Sequence, residues 1–168
     1  MVSGSRHMGV CEHWKGEQHP CEEVMRHRYL MDRAMREHVH GLAALTRGAL
    51  ADVDHPFSGH RLTGEVLELW HGDADGADKL AASYWEHYRF GPVHAIPANW
   101  ETLGRRAGHF RNELLIAQMP EMLLAFPRYG SNQVSRGTQD AMWQAGQAGI
   151  LVHVYELRSV CPAIQFPQ

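Results

Sequence analysis

The chain contains no apolar run approaching the ~18 residues needed to cross a bilayer, no string of consecutive lysines and arginines, no low-complexity tract and no internal repeat. Each absence removes a class of protein. Without an apolar span there is no membrane partner to expect, and an opening that runs straight into Val2-Ser3-Gly4-Ser5-Arg6 lacks the apolar core of a secretory signal. Lysine is scarce beside arginine and the net charge is −3, so no overall basic field draws the chain to nucleic acid. The remaining clusters of positive charge are local, notably Arg105, Arg106 and Arg111. Three cysteines, an odd number, argue against a disulfide framework and suit a reducing compartment. The expectation is a soluble, cytoplasmic protein.

What is present is enough for one core. At 168 residues and 44% hydrophobic, the chain suits a single α/β domain over residues 1–157 with a tail over 158–168. Pro20 followed by Glu22 and Glu23 opens a long helix in which Val24, Met31, Met35, Val39, Leu42 and Leu45 recur at helical spacing. His27, His38 and His40 on the same helix read as surface residues. Residues 52–64 are rich in Pro, Gly and Asp and read as a loop. Glu65–Trp70 alternates as a strand does, Lys79–Tyr88 suits a helix, and Val93–Pro97 is a second short strand. A helix follows over Ala107–Met119 with Ala107, Phe110, Leu114 and Leu115 toward the core. Met122–Phe126 is a continuous apolar strand buried on both faces, Arg128–Ser135 a loop, Arg136–Ala148 a helix, and Leu151–Leu157 the last strand. Strands alternating with helices mean a three-layer α/β domain whose mainly parallel sheet has five strands, with ligands at the strands' carboxyl ends.

Two loops carry the chemistry. His71-Gly72-Asp73-Ala74-Asp75-Gly76-Ala77-Asp78 joins a strand to a helix, where unpaired N–H groups and the helix dipole favour an anion and glycines allow close approach. Gly and Asp also occur in such turns merely to bend and to cap, so both readings stand. In the second loop, Arg111 and Asn112 fall in the first turns of a helix. A cation there is disfavoured by the dipole, and a shared anionic ligand would explain it; a solvated surface arginine is the alternative. Thr138 is either part of the same anion site or an N-cap, and Trp100 either stacks on a base or fills the core.

In order along the chain, Val2-Ser3-Gly4-Ser5-Arg6, His71-Gly72 with Gly76-Ala77-Asp78, Pro97-Ala98-Asn99-Trp100 with Gly104, Ala107-Gly108 and Arg111-Asn112, and Ser135-Arg136-Gly137-Thr138 together resemble the YspA-like branch of the SLOG superfamily. That superfamily includes the LOG (lysine decarboxylase-like) phosphoribohydrolases and the Rossmann-like domain of DprA. The resemblance runs from Met1 to about Leu157. It implies a Rossmann-like domain that senses or sequesters a nucleotide or a nucleotide-derived molecule of the NAD or ADP-ribose type. No cofactor is required, and a homo-oligomer, a dimer, is expected. The residues it implicates are Gly4, Ser5, Arg6, Gly72, Asp73, Gly76, Asp78, Trp100, Gly108, Arg111, Asn112, Gly137 and Thr138. Only Val2 and Met1 precede Ser3, against ~5–6 residues for a typical strand, so either the first strand is clipped and the start lies upstream, which is the favoured expectation, or this strand is unusually short.

The alternative that the resemblance brings is hydrolysis of the N-glycosidic bond of nucleoside monophosphates. Such enzymes carry an Arg matched by Arg111 and a Gly-Thr pair matched by Gly137-Thr138, but Ala141 stands where their glutamate would be. An oxocarbenium-like state needs a carboxylate, and Asp73, Asp75, Asp78 and Asp140 are the substitutes. Single-stranded nucleic-acid binding is a distant third, for want of a basic groove. Finally, Cys11-x-His13 and His19-x-Cys21 offer thiolate and imidazole within a polar insertion over residues 7–21. This is either a tetrahedral zinc site of tight spacing or simply a loop over the ligand site.

Overall fold

In the computed structural model, residues 1–4, 6, 8, 22–40, 67–129 and 135–158 are described. Five strands form one sheet: β1 (Val2–Gly4), β2 (Leu69–His71), β3 (Val93–Ala95), β4 (Met122–Phe126) and β6 (Leu151–Val154), in the order β3-β2-β1-β4-β6. Every neighbouring pair is parallel, with Val2 opposite both His71 and Leu124 and Leu124 opposite His153. The α/β fold read from the sequence is the one observed, with a sheet wholly rather than mainly parallel. Parallel strands need crossovers, and helices supply them on both faces.

Two separate cores result. On one face α1 (Glu22–Met35) and α2 (Ala77–Tyr88) bury Met31, Met35, Ala77, Ala81 and Trp85 against Val2, Leu69 and Phe126. On the other, α4 (Ala107–Ile116) and α5 (Arg136–Gln147) bury Leu115, Ala141 and Ala145 against Leu123 and Ala125. β4 is therefore covered on both sides, which is why Met122–Phe126 carries no alternation. A short helix, α3 (Trp100–Leu103), and a 3-10 turn over Gly104–Arg106 lead into α4.

Several boundaries and burials differ from the reading of the sequence. α1 continues as a π-helical turn, Arg36–His40, which widens the helix and still returns Val39 to the core. That turn aims His38 at Tyr155 (Nε2 to Oη 2.9 Å) and His40 at Tyr84 (3.0 Å), so neither is a simple surface residue. His27 is buried, not exposed: it lies three residues after Val24 and four before Met31, inside the apolar stripe. α4 ends at Ile116, the Gln118 and Met119 amides bonding back only three residues, before Met119 takes a left-handed φ of 50°, and Leu114, expected in the core, is 54% exposed. Its neighbour Leu115 takes the inward position instead. The last strand stops at Val154. Leu157–Arg158 forms a separate strand, β7, paired with β5 (Arg128–Tyr129), a pair of residues expected in a loop.

β1 leads by way of α1 to β2 and β3 on one side, whereas β4 leads by way of α5 to β6 on the other. The strand order reverses between β1 and β4, and the crevice outside their carboxyl ends is where such sheets hold ligands.

Candidate functional site

The β2–α2 loop turns on Asp78, the second residue of α2 and only 3% exposed. Its Oδ2 accepts the N–H of Gly72 at 3.0 Å and of Ala74 at 3.2 Å, while the N–H of Asp73 between them goes to His71 Nδ1 at 3.1 Å. Positive φ at Asp73 (54°) and Gly76 (85°) lets the chain wrap this carboxylate. Three successive amides that the sequence offered to a phosphate are thus spent inside the loop, and the helix dipole of α2 is met by the protein's own acid. Burial outweighs those two hydrogen bonds and the nearby Arg111 and raises the Asp78 carboxyl to about 6. Asp73 itself pairs with Lys79, which holds its carboxyl below the usual range.

Arg111 comes from the second turn of α4 and crosses to this loop. Its Nη1 donates to the carbonyl of Gly72 at 2.5 Å and stands 4.0 Å from Asp78 Oδ2, and its Nε donates to Asn112 Oδ1 at 3.0 Å. A Cβ at Gly72 would fall inside the guanidinium, so glycine here is what lets Arg111 take this seat. Burial lowers the Arg111 pKa first of all, Asp78 raises it, and the proximity of Arg6 lowers it again. Gly4, at the end of β1, is fixed in the same way, because a Cβ would meet Phe126 Cβ at 2.8 Å and the Ala77 Cβ more closely still.

Asn112 is 1% exposed and faces the other way, into α5. Its Nδ2 donates to the Gly137 carbonyl at 3.1 Å and to Asp140 Oδ2 at 2.8 Å. Asp140 also takes Gln144 Nε2 at 2.9 Å, and its Oδ1 is 2.8 Å from His109 Nδ1. His109 Nε2 lies 3.2 Å from Glu113, and the bond to Asp140 raises its pKa. Asn112, expected to bond ribose or phosphate, is thus committed to clamping α4 onto α5.

The open part of the site lies above that clamp. Trp100 is 49% exposed, its ring edge over Gly108, where a Cβ would sit 3.5 Å from it, and Arg6 stands 5.5 Å over the indole. Trp100 is therefore no core residue. α5 begins with Ser135 at the cap, whose hydroxyl accepts the Arg128 N–H at 3.1 Å instead of capping the helix. No acidic residue occupies the first turn of α5, and among the described residues nothing lies within 4 Å of where a Cβ of Gly137 would be. Thr138 is the third residue of α5 and buried, not its cap.

Of the predicted set, Ser5 and the proposed metal ligands Cys11, His13, His19 and Cys21 lie outside the described residues. Among the described residues no group of three His, Cys, Asp or Glu side chains is placed to hold a metal ion. Ala141 is completely buried beneath α5, so the position of the missing glutamate faces the core and not the crevice. Sequence reasoning missed His109 and Gln144, and gave His71 and Ser135, though they stand in its motifs, no role of their own. The spacings His109–Glu113 and Asp140–Gln144 are the usual i, i+4, but the pairing of the two helices through them is a tertiary fact. A cavity of about 330 Å³ also opens at the opposite end of the sheet, lined by Met35, Val39, Leu69, Trp85 and Met122 among others, and includes none of the predicted residues. None of the helices among the described residues is long and apolar enough to cross a membrane.

No family model matches the chain, and no curated protein or solved structure is found to match it.

Proposed function

We propose that the chain binds a nucleotide-type anion in the crevice outside β1 and β4, as a sensor or store of that molecule, in keeping with its resemblance to the SLOG superfamily. The observation that carries the reading is the pair of guanidiniums at that edge. Arg111 is 11% exposed by side chain, shares one carboxylate 4.0 Å away with two loop amides, and has a second cation, Arg6, close enough to depress its pKa. Two cations converging where one is desolvated repel each other, and an anionic group between them relieves that repulsion. The start of α5, which Ser135 does not cap with its side chain, adds a third source of positive potential, and the half-exposed indole of Trp100 offers a face for a base.

Hydrolysis has weaker support. Ala141 is buried, Asp140 is held by Asn112, Gln144 and His109, and Asp78 is held by its own loop, so the carboxylates with fixed partners are already engaged.

The test uses residues that ligand binding needs and folding does not. Calorimetric titration of AMP and ADP-ribose is expected to lose at least tenfold in affinity in each of Arg6→Ala and Trp100→Ala, with the melting temperature unmoved, as for the loss of a charge-assisted bond or a stack. Unchanged affinity in both variants places the ligand elsewhere. Mass spectrometry of small molecules released by heat from the purified protein then names the ligand class.

A further inference from the structure

Asp78 lies beneath the proposed site and is coupled to it through a single atom. Its Oδ2 holds the Gly72 and Ala74 amides, and the same oxygen lies 4.0 Å from the Arg111 Nη1 that grips the Gly72 carbonyl. Carboxylate, loop and guanidinium therefore form one closed unit, and an anion bound on the outer side of Arg111 competes with Asp78 for its charge. We propose that ligand binding at this site is linked to proton uptake by Asp78, so that the protein binds its anionic ligand more tightly as pH falls toward 5. The inference rests on the nucleotide reading above, since it needs an anion at Arg111.

The surroundings decide the sign. His71, at the end of β2, accepts the Asp73 amide on its Nδ1, and burial lowers its pKa; Asp73 and Asp75 lie in the loop, the first paired with Lys79; Arg111 reaches the carboxylate from α4, with Arg6 and Asp140 near it. Arg111 is the only cation among these that lies against the carboxylate. In the free protein burial already holds the Asp78 carboxyl near 6. A negative charge placed beyond Arg111 raises it further, by about one unit for a like charge at such range. At pH 6.5 that corresponds to about half a proton taken up per ligand, and to up to tenfold tighter binding at pH 5 than at pH 8. Protonation leaves the loop intact, because the oxygen that accepts the two amides needs no charge to do so.

The probe is ADP-ribose, whose two phosphates each carry one ester and one anhydride bond and so hold a fixed charge across this range. Titrations at pH 6.5 in buffers of different ionisation enthalpy count the protons directly. Uptake of about half a proton at pH 6.5, vanishing at pH 8 and absent in Asp78→Asn, is the expected result. Binding without uptake in the wild-type chain overturns the proposal and leaves the nucleotide reading standing. Uptake that persists in Asp78→Asn overturns it too, and assigns the proton to another group such as His109. No binding of ADP-ribose or AMP at any pH overturns both readings. Should Asp78→Asn not fold, the carboxyl carbon-13 titration of Asp78 in the wild-type chain serves instead. Its midpoint rises by about one unit with ADP-ribose if the proposal holds, and stays put if it does not.

Discussion

The contact between Gly72 and Arg111 allows a double-mutant cycle whose sign is set by geometry. A Cβ at residue 72 would occupy the space of Arg111 Nη1 and crowd Cζ and Nε, so Gly72→Ala has to expel the guanidinium from its seat. The backbone at Gly72 lies outside the left-handed region, so alanine adds no conformational strain of its own. Expulsion costs overpacking of ~1–3 kcal/mol and a charged hydrogen bond to the Gly72 carbonyl worth ~1.5–3 kcal/mol, about 3 kcal/mol together after relaxation. Arg111→Ala costs about 3 kcal/mol as well, because it leaves Asp78 buried without its counter-charge. In Arg111→Ala, however, the atoms that the new methyl group strikes are gone. Adding Gly72→Ala to that background is then worth within ~0.5 kcal/mol of nothing, a coupling of about 2–3 kcal/mol between two residues 39 positions apart. Urea unfolding of the four proteins, with equal m-values, measures it. Equal costs of Gly72→Ala in both backgrounds would refute the seating of Arg111 over this glycine.

Gly4→Ala is expected to destabilise by ~2–3 kcal/mol or to prevent folding, because its Cβ meets β-carbons on both α2 and β4; soluble yield and urea midpoint report it. Asp78 imposes a pH dependence of definite sign. Its carboxyl lies near 6 folded against about 4 unfolded, so its favourable contribution is complete below pH 4 and is lost as pH rises through 6, by about 3 kcal/mol. The difference in urea midpoint between wild type and Asp78→Asn, followed from pH 4 to 7, shows that loss. His109 has the same sign at higher pH. Its bond to Asp140 raises its folded pKa, so that stabilisation is present below the unfolded value near 6.5 and fades as pH climbs through the folded one. His109→Gln flattens that limb in thermal melts between pH 6 and 8.

How far the sequence could be read follows from what kind of signal each element sends. β4 was legible to the residue because burial on both faces leaves an unbroken apolar run, and α5 nearly so because Arg136-Gly137 opens it and Gly149 closes it. The failures sit where local pattern and tertiary contact disagree. His27 occupies a core position in a helical stripe, and a polar letter there reads as surface although its spacing reads as core. Leu114 and Leu115 are adjacent and equally apolar, so composition does not choose which one turns inward; the 100° between them on the helix does. β5 and β7 are two residues each and pair only with one another, far too short to leave a period.

The site was legible as a set of positions more than as a set of roles. At Gly4 and Gly72 a neighbouring side chain occupies the space that a Cβ would take, a packing reason for glycine that the sequence pattern alone does not show. Asp78 reads as a helix-start acid and turns out to fill the anion position that its loop creates, which a strand-turn-helix pattern cannot reveal because ligand and internal carboxylate satisfy the same amides. Asn112 sits beside Arg111 in sequence yet points into the opposite interface, since successive residues on a helix diverge by about 100°. Arg111 ties α4 to the β2–α2 loop through the Gly72 carbonyl, with Arg6 near enough to lower its pKa. That structural role makes its removal a poor test of the proposed ligand binding. Arg6 and the half-exposed Trp100 lie on the open side of the loop, so a loss of affinity in their variants bears on the proposal alone.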